Sequence, residues 1–551
     1  MATLYESRRG QMFPKLTPAQ LSRLDSYGQR MRTLDAQVLI ESGERYARIV
    51  AVISGSIDVV MPGISGETPI TQLTEGDFTG EMSALRGSSS YVRIRVHEPG
   101  EVISIPVDNL RRLVQTDAEL SEIFMRAYIL RRMGLRESQH GDVVLIGSRE
   151  SPHSLRVRQF LERNAVPYTS LDAGSDGDAV ALLEQFQVDT SELPIVLCRD
   201  KILRRPGNEQ IVECLGINPQ VDETVVRDLV VVGAGPAGLA AAVYAASEGL
   251  RVLVLETMAP GGQAGTSSKI ENYLGFPTGI SGQALAGRAF VQAQKFGAEV
   301  IVAGSAVRLH VHERPYRVDF SRSRSVRART IVIATGAEYR SLPLKNLDRF
   351  LGVGVYFAAT NIEAQLCTDE EVCVVGGGNS AGQAAVFLAS KCTRVHLLVR
   401  SSGLTDSMSQ YLIRRIEEHP KISFRPKTEL TALEGDAHLQ RISWRSRDGA
   451  ETRPIRHVFL MTGAVPNIGW LGECVAVDTR GFLKTGPDIS REELTQRKWP
   501  LARQPFFLET SIPGVFAVGD VRSGSTKRVA AAVGEGSACI SLVHATLASD
   551  G

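Results

Sequence analysis

Two glycine-rich turns, each following an apolar run, are the residues whose types and spacing could do chemistry. The first lies in Leu229-Val-Val-Val-Gly-Ala-Gly-Pro-Ala-Gly-Leu239 and spells Gly233-x-Gly235-x-x-Gly238. In such a turn the first glycine permits a tight bend. The second lets the backbone approach a pyrophosphate, and the third lets the helix pack on the strand. The helix that starts at Pro236 and Ala237 turns free N–H groups and a positive dipole end toward phosphate. The next strand, Arg251-Val-Leu-Val-Leu255, ends in Glu256, at the spacing of a carboxylate that accepts a ribose hydroxyl. The second turn, in Val372-Cys-Val-Val-Gly-Gly-Gly-Asn-Ser-Ala-Gly382, has Gly376 and Gly378, with Asn379 and Ser380 at the helix start. Its following strand, Arg394-Val-His-Leu-Leu-Val399, ends in Arg400 instead of an acid. An arginine there suits a 2′-phosphate and favours NADPH over NADH. Two such turns predict two dinucleotides, and the simplest chemistry needing both is hydride transfer from a nicotinamide to a flavin.

Composition bounds the rest. A chain of 551 residues should hold about three to four domains. Hydrophobic content of 43% and charged content of 22% are ordinary for a globular protein, and a net charge of +1 gives no pull toward nucleic acid or an anionic membrane. The seven cysteines (Cys198, Cys214, Cys367, Cys373, Cys392, Cys474, Cys539) are scattered, with no Cys-x-x-Cys pair and no metal-ligand spacing. They predict a reduced, cytoplasmic chain whose thiols are mostly small core residues. Met1 to Lys15 is polar and basic, unlike a signal peptide. The longest weakly polar run, Leu229 to Ala246, is broken by Gly233, Gly235, Pro236 and Gly238, so no membrane span is expected.

Before the glycine turns, residues 12–115 alternate at period two between glycines, which predicts an antiparallel barrel or sandwich. A helical stretch follows from Val107 to Met133, then a linker from Gly134 to Gly141. Asp142 to Gly147, Val166 to Leu171 and Leu193 to Leu197 read as strands; Ser154 to Asn164 and Ala179 to Phe186 read as helices. That order makes a small α/β unit.

Residues 228–547 resemble the low-molecular-weight thioredoxin reductase family. Gly261-Gly262-Gln263 and Glu271-Asn272-Tyr273 resemble its FAD contacts, and Ile333-Ala-Thr-Gly336, with Thr335 and Gly336, its crossing between domains. Thr462-Gly-Ala-Val-Pro-Asn467 resembles its Gly-x-x-Pro-Asn turn. Gly514 to Asp520 resembles the segment whose aspartate binds the ribitol of FAD, and Lys527-Arg528-Val529-Ala530 the helix start beside the isoalloxazine. The resemblance implies FAD and NADPH as cofactors, a homodimer, and an FAD domain in two pieces (228–342 and 468–547) around an NAD(P)H domain (343–467). The departure falls at the redox site, where the family's Cys-Ala-Thr-Cys aligns with Ala358-Ala359-Thr360-Asn361. Neither alanine nor asparagine supplies a thiolate, and Cys367 with Cys373 is spaced unlike a redox pair, so no side chain is named as catalytic. The acceptor is then a quinone, oxygen or a redox protein.

Residues 142–217 resemble a glutaredoxin or thioredoxin-like domain, with Ser151-Pro152-His153-Ser154 at the Cys-Pro-x-Cys position and Leu193-Pro194 at the cis-proline. This implies a docking surface or a purely structural unit, with His153 a solvated loop residue. Residues 12–133 resemble the cyclic-nucleotide-binding fold through Gly55-Ser-Ile-Asp-Val59 and Gly76-Asp-Phe-Thr-Gly-Glu-Met82. Its phosphate arginine aligns with Ser90, with Arg86, Arg93 and Arg95 as possible substitutes. A sensing or dimerising module is favoured over a cyclic-nucleotide site, and no helix-turn-helix follows it. The expected fold is multidomain α/β: two nested Rossmann-like dinucleotide-binding domains preceded by a β-roll and a small thioredoxin-like unit. The expected activity is an NADPH-dependent FAD reductase. The alternatives are thioredoxin-disulfide reduction through other cysteines, such as Cys198 with Cys214, and a flavin-based sensor or scaffold.

Overall fold

Period-two alternation builds the first sheet of the computed structural model, which describes residues 10–45, 48–63, 66–80, 84, 89–90, 92–137, 143–148, 151–198, 201–321 and 323–549. Helix α1 (Pro18–Leu24) precedes β1 (Gln29–Arg32), β2 (Val38–Ile40), β3 (Ile49–Gly63), β4 (Gly66–Leu73), β5 (Phe78–Thr79) and β6 (Arg93–Ile105). The order is β1-β6-β3-β4, with β2 on β6 and β5 on β3, all antiparallel. Val50 and Val52 face one core; Ile49 and Ala51 face another, shared with Leu113 and Phe124 of the following helices. The single helix expected over Val107 to Met133 is two, α2 (Val107–Thr116) and α3 (Ala118–Glu137). Asp117 is extended, and its carboxylate accepts from the Leu120 N–H (3.0 Å), so it caps the second helix. Helix α3 also runs into the segment read as a linker.

The middle sheet comprises β7 (Val143–Gly147), β8 (Thr169–Asp172), β9 (Ile195–Cys198) and β10 (Lys201–Arg204), ordered β10-β9-β7-β8, with β8 parallel to β7 and β9 antiparallel. Helices α4 (Pro152–Arg163), α5 (Gly177–Gln185) and α6 (Asn208–Leu215) accompany it. Ser151 caps α4 through the Ser154 N–H (3.4 Å), and Pro at the first turn needs no N–H partner. The Leu193–Pro194 peptide is cis. Strand β10 escaped the sequence reading because it is a polar edge strand with little buried surface. One expectation is corrected: Cys198, at the end of β9, and Cys214, on α6, are joined by a disulfide and are not free core thiols.

The third sheet holds β11 (Val226–Val232), β12 (Val252–Glu256), β13 (Glu299–Val302), β14 (Ala306–His310), β15 (Tyr316–Phe320) and β16 (Arg324–Ile333), ordered β13-β12-β11-β16-β15-β14, with β27 (Val515–Ala517) parallel to β16. Leu229 and Val231 face helices α7 (Pro236–Ser247), α8 (Gly282–Lys295) and α13 (Val529–Ser549); Val230 and Val232 face the opposite core. Helix α13 is long and apolar enough to cross a membrane by length and composition. Here its Gly536 lies against α7 so closely that a Cβ would sit 2.1 Å from the Ala237 carbonyl.

The fourth sheet is parallel throughout: β18 (Val355–Tyr356), β19 (Glu371–Val375), β20 (Arg394–Val399), β21 (Ile422–Pro426) and β25 (His457–Leu460), ordered β18-β25-β19-β20-β21. Helices α9 (Asn361–Leu366), α10 (Asn379–Ala389) and α11 (Gln410–Glu418) belong to it. An antiparallel meander, β22 (Glu429–Gly435), β23 (Leu439–Ser446) and β24 (Gly449–Arg453), flanks it. Strands β17 (Ala337–Tyr339) and β26 (Ala464–Pro466) pair where the chain enters and leaves, and α12 (Arg491–Gln496) follows.

His457 on β25 is 8% exposed, and Tyr356 stacks against it, its hydroxyl 3.3 Å from Nδ1. Glu370 stands 3.4 Å from Nε2 without a hydrogen bond. Burial, aided by Arg456, pushes the imidazole pKa down to about 4. The fold therefore holds it neutral, and its contribution is complete above the unfolded value of about 6.5 and is lost as pH falls toward 4. That loss is on the order of 3 kcal/mol. Thermal midpoints measured across this window should fall less steeply in His457→Phe than in the unmodified protein; equal slopes would refute the assignment.

Candidate functional site

Both glycine turns are built on the same close approach. Gly233 has φ 105°, and a Cβ there would fall 2.3 Å from the Ala334 carbonyl oxygen at the end of β16. Gly376 has φ 146°, and its Cβ would fall 2.3 Å from the Met461 carbonyl beyond β25. At Gly238 a Cβ would meet the Gly233 carbonyl at 1.9 Å. Gly235 and Gly378, the N-caps of α7 and α10, have ordinary φ and nothing within 4 Å of an added Cβ. The first and third glycines thus serve the fold, whereas the second leaves room for a ligand beside free helix N–H groups. Glu256 ends β12 buried, and its carboxylate accepts from the N–H groups of Ala234 (2.8 Å), Met258 (2.9 Å) and Ala259 (3.2 Å). A carboxylate offers about four acceptor directions, so one stays open to a ribose hydroxyl.

The first turn and the helix start after the second open onto one cavity of about 1490 Å³. Of the residues singled out in the sequence, Gly233, Gly235, Pro236, Ala237, Glu256, Gly262, Gln263, Asn272, Thr335, Gly336, Asn379, Ser380, Asp520, Arg528 and Val529 line it. Gly238, Gly376 and Gly378 stand outside its lining, and Arg400 is exposed at the end of β20. Gln263 Nε2 donates to the Ala337 carbonyl (2.6 Å), and Asn467 donates from Nδ2 to the Thr335 carbonyl (3.1 Å). The Thr335 hydroxyl is buried without a partner among the described residues, as a wall awaiting a polar ligand would be. Burial raises the Asp520 carboxyl pKa, while Lys527 Nζ donates to its backbone carbonyl (2.5 Å). Tyr339, which the sequence reading missed, spans the two halves. Burial raises its pKa, it hydrogen-bonds Ser380 of the second turn, and it feels the Asp520 charge. Open Cβ directions, an orphaned hydroxyl and an amide-fixed carboxylate together fit two dinucleotides.

At the redox position Ala358 and Ala359 line the cavity. Thr360 caps α9 by accepting from the Ile362 N–H (3.2 Å) and pairs with Glu363, which is fully buried. Cys373 lies inside β19, where burial raises its thiol pKa, and does not meet Cys367. Cys367 faces Cys392 instead, with sulfurs 3.7 Å apart, and its pKa is also raised. No cysteine lines the cavity among the described residues.

A further wall comes from the middle unit. Pro152, Leu155, Arg156, Gln159 and Arg163 lie at one helical stripe of α4 and face the cavity. Gln159 Nε2 donates to Glu363 Oε1 (2.6 Å), Arg163 Nη2 to the Gly262 carbonyl (3.0 Å) and Asn164 Nδ2 to the Met258 carbonyl (2.9 Å). Pro152 packs on Gly352. The spacing was legible, but which neighbour the stripe faces is a tertiary fact.

In the first sheet Ser90 is buried, its hydroxyl donating to the Val92 carbonyl (2.8 Å). Arg93 is paired with Glu41 (2.8 Å) and Glu67, and Arg95 stands 3.4 Å from Glu67, so both candidate replacements for a phosphate arginine are engaged. Glu81 and Arg86 lie outside the described residues.

Comparison with known proteins places matches on two segments. Residues 227–536 match the pyridine nucleotide-disulphide oxidoreductase family model, and residues 32–117 match the cyclic nucleotide-binding domain. The chain is 30% identical to a thioredoxin reductase of Treponema pallidum over 311 residues, covering 56% of this chain and 93% of that protein. It is 31% identical to one of Mycolicibacterium smegmatis over 316 residues, covering 57% and 94%. Among solved structures it resembles thioredoxin reductase of Lactococcus lactis in the FR conformation (TM-score 0.52, 25% identity, 59% of this chain and 99% of that one). It also resembles that of T. acidophilum (TM-score 0.51, 26% identity, 58% and 99%).

The glycine geometry separates folding from binding. Gly235→Ala should leave apo-protein stability within about 0.5 kcal/mol, since its methyl meets nothing. It should abolish flavin retention, read as the yellow chromophore after gel filtration. Gly233→Ala should cost roughly 2–4 kcal/mol in denaturant unfolding, through positive φ and a carbonyl clash. Equal behaviour of the two variants would refute the division.

Proposed function

We infer the activity from one premise: the chain belongs to the pyridine nucleotide-disulphide oxidoreductase family and is an NAD(P)H-dependent FAD oxidoreductase. FAD and NADPH are the cofactors of this thioredoxin-reductase-like group. Within it, this chain acts as a reductase that hands electrons on without an internal dithiol. The observation that carries the reading is the pairing of one cavity, shared by the first turn and the helix start after the second, with Ala358 and Asn361 at the redox position. The bound flavin supplies hydride acceptance from NADPH and electron donation to the acceptor.

The residues present hold the cofactors. Gly235 and the leading N–H groups of α7 cradle the flavin pyrophosphate; Glu256 takes the ribose, Asp520 the ribitol, and Gln263, Asn272, Thr335, Arg528 and Val529 the remaining polar edges. Asn379, Ser380 and Gly378 hold the nicotinamide dinucleotide, and Arg400 its 2′-phosphate. Tyr339 positions one half against the other. The domains we assign are 12–133, 142–217, 228–342 with 468–547 for FAD, and 343–467 for NADPH. The middle unit is thioredoxin-like without thiols, and Ser151 keeps the helix cap that a cysteine would hold. The cyclic nucleotide-binding domain regulates the reductase through a small effector, with Ser90 in place of a phosphate arginine favouring a sensing or dimerising role. We place a homodimer in the cytoplasm; five free cysteines suit a reducing compartment. The acceptor is a quinone, oxygen or a redox protein.

The Cys198–Cys214 disulfide supports a second reading, thioredoxin-disulfide reduction through those cysteines. Both are buried and neither lines the cavity, so the first reading leads.

Anaerobic stopped-flow absorbance should show NADPH bleaching the flavin in the unmodified protein and equally in the Cys198→Ser/Cys214→Ser variant. Arg400→Ala should lower the preference for NADPH over NADH by roughly tenfold, the value of one charge-assisted phosphate contact. A flavin that NADPH leaves oxidised defeats the reductase reading. Oxidised-thioredoxin turnover abolished by the double variant would move the assignment to the second one.

A further inference from the structure

We propose that Arg163, on helix α4 of the middle unit, is a phosphate-binding residue of the flavin dinucleotide site, so that a segment outside the two-dinucleotide core completes it. The inference rests on the reading of this cavity as an FAD site.

The position follows from two contacts. The Arg163 guanidinium donates to the Gly262 carbonyl at 3.0 Å. Gly262, at φ 53°, packs on the second glycine of the first turn, where its Cβ would meet Gly235 Cα at 3.1 Å. Gly235 is the N-cap of α7, and its side faces open cavity. The guanidinium is therefore a near neighbour of the N–H groups built for a pyrophosphate.

Its charge is uncompensated. Guanidinium carries five N–H donors, and the bond to Gly262 is the one hydrogen bond Arg163 makes among the described residues. No carboxylate among them lies within ion-pair distance. Glu256 and Glu363 act on it only at longer range. Neither can turn toward it: Glu256 is tied to three backbone N–H groups, and Glu363 to Gln159 and the Thr360 cap. Burial lowers the Arg163 pKa, the mark of a cation short of a counter-charge. It is half-buried and lines the cavity. A half-buried cation with no counter-ion in contact is costly, and a pyrophosphate dianion relieves that cost with fork geometry.

The residue is also held in place. On either side of it Gln159 bonds Glu363, the Glu162 carbonyl accepts from Gln283 (2.9 Å), and Asn164 bonds the Met258 carbonyl. Helix α4 is thus pinned to both dinucleotide units, and Arg163 meets its ligand pre-organised.

The test uses full-length protein stripped of flavin, titrated with FAD and with riboflavin, which lacks phosphate, by flavin fluorescence. Arg163→Gln should bind FAD roughly tenfold to a hundredfold more weakly, with riboflavin affinity and the apo thermal midpoint unchanged. Arg163→Lys, with charge but no fork, should fall between. Unchanged FAD affinity overturns the proposal. So does an equal loss for both ligands with a lowered apo midpoint, because Arg163 would then merely prop the Gly262 loop. If the unmodified apo-protein takes up no flavin, the FAD reading falls and this proposal with it, an outcome distinct from the other two.

Discussion

Two backbone contacts, Gly233 on Ala334 and Gly376 on Met461, govern the catalytic half. In each of the two sheets the turn after the central strand settles on the carbonyl end of the parallel neighbouring strand, at the same 2.3 Å for a hypothetical Cβ. No side chain fits there, so the helix that follows must start at the carboxyl edge of the sheet with its N–H groups outward. In the third sheet β11 sits between β12 and β16, and in the fourth β19 sits between β20 and β25. Both turns lie where the strand order reverses, the place where an open α/β sheet leaves a crevice. A cavity shared by the first turn and the helix start after the second follows once β17 and β26 pair at the crossing between the units.

The two glycine turns are kept, and no Cys-x-x-Cys pair accompanies them in the sequence. Thr360 and Glu363 form a complete capping box on α9, and Ser151 caps α4, so both helix starts keep their shape. Ala358, Asn361, Ser151 and Ser154, the residues that flank these helix starts, have no sulfur. None of the remaining free thiols lines the cavity among the described residues: burial pushes Cys373 and Cys539 upward, the Cys392 sulfur together with burial raises Cys367, and Cys392, lowered by Cys367, is buried away from the cavity. The two helix starts lie on one wall of one cavity, with Pro152 against Gly352 and Leu155 packed among Tyr356, Ala359 and Ile362. The middle unit therefore covers surface of the fourth-sheet unit with its own helix.

The glycine turns and their acidic and basic strand ends were legible because their constraints are local: a positive φ, a close approach and a fixed strand–turn–helix spacing. So were the alternating strands of the first sheet. The break at Asp117 was hidden because the apolar periodicity continues across it and only the cap marks it. Strand β10 has too few apolar residues to announce itself. The Cys198–Cys214 bond joins residues 16 apart through the packing of α6 on β9, which no spacing rule encodes. Glu256 was read as a ribose ligand from its position, but its three backbone partners depend on how the turn and the loop after β12 fold together.

The N-terminal units reach this cavity through packed matter. Val291 of α8 belongs to the same core as Phe78 and Phe124 of the first unit. Along the same helix, Ala286 lies against Gly261, where an added Cβ would meet it at 2.4 Å, and a Cβ added to Gly282 would fall 1.8 Å from the Ala264 carbonyl oxygen. Gly261 and Gly262 are the loop on which Arg163 rests. A second route runs from Ser89, beside Ser90, whose N–H donates to the Gly216 carbonyl (3.2 Å) at the end of α6 in the middle unit. Contiguity of this kind does not by itself transmit anything; transmission needs an element with two arrangements that both ends bias. Helix α8 joins the β-roll core, through Val291, to the Gly261–Gly262 loop, through Ala286, and at that loop small residues pack too closely to deform gradually.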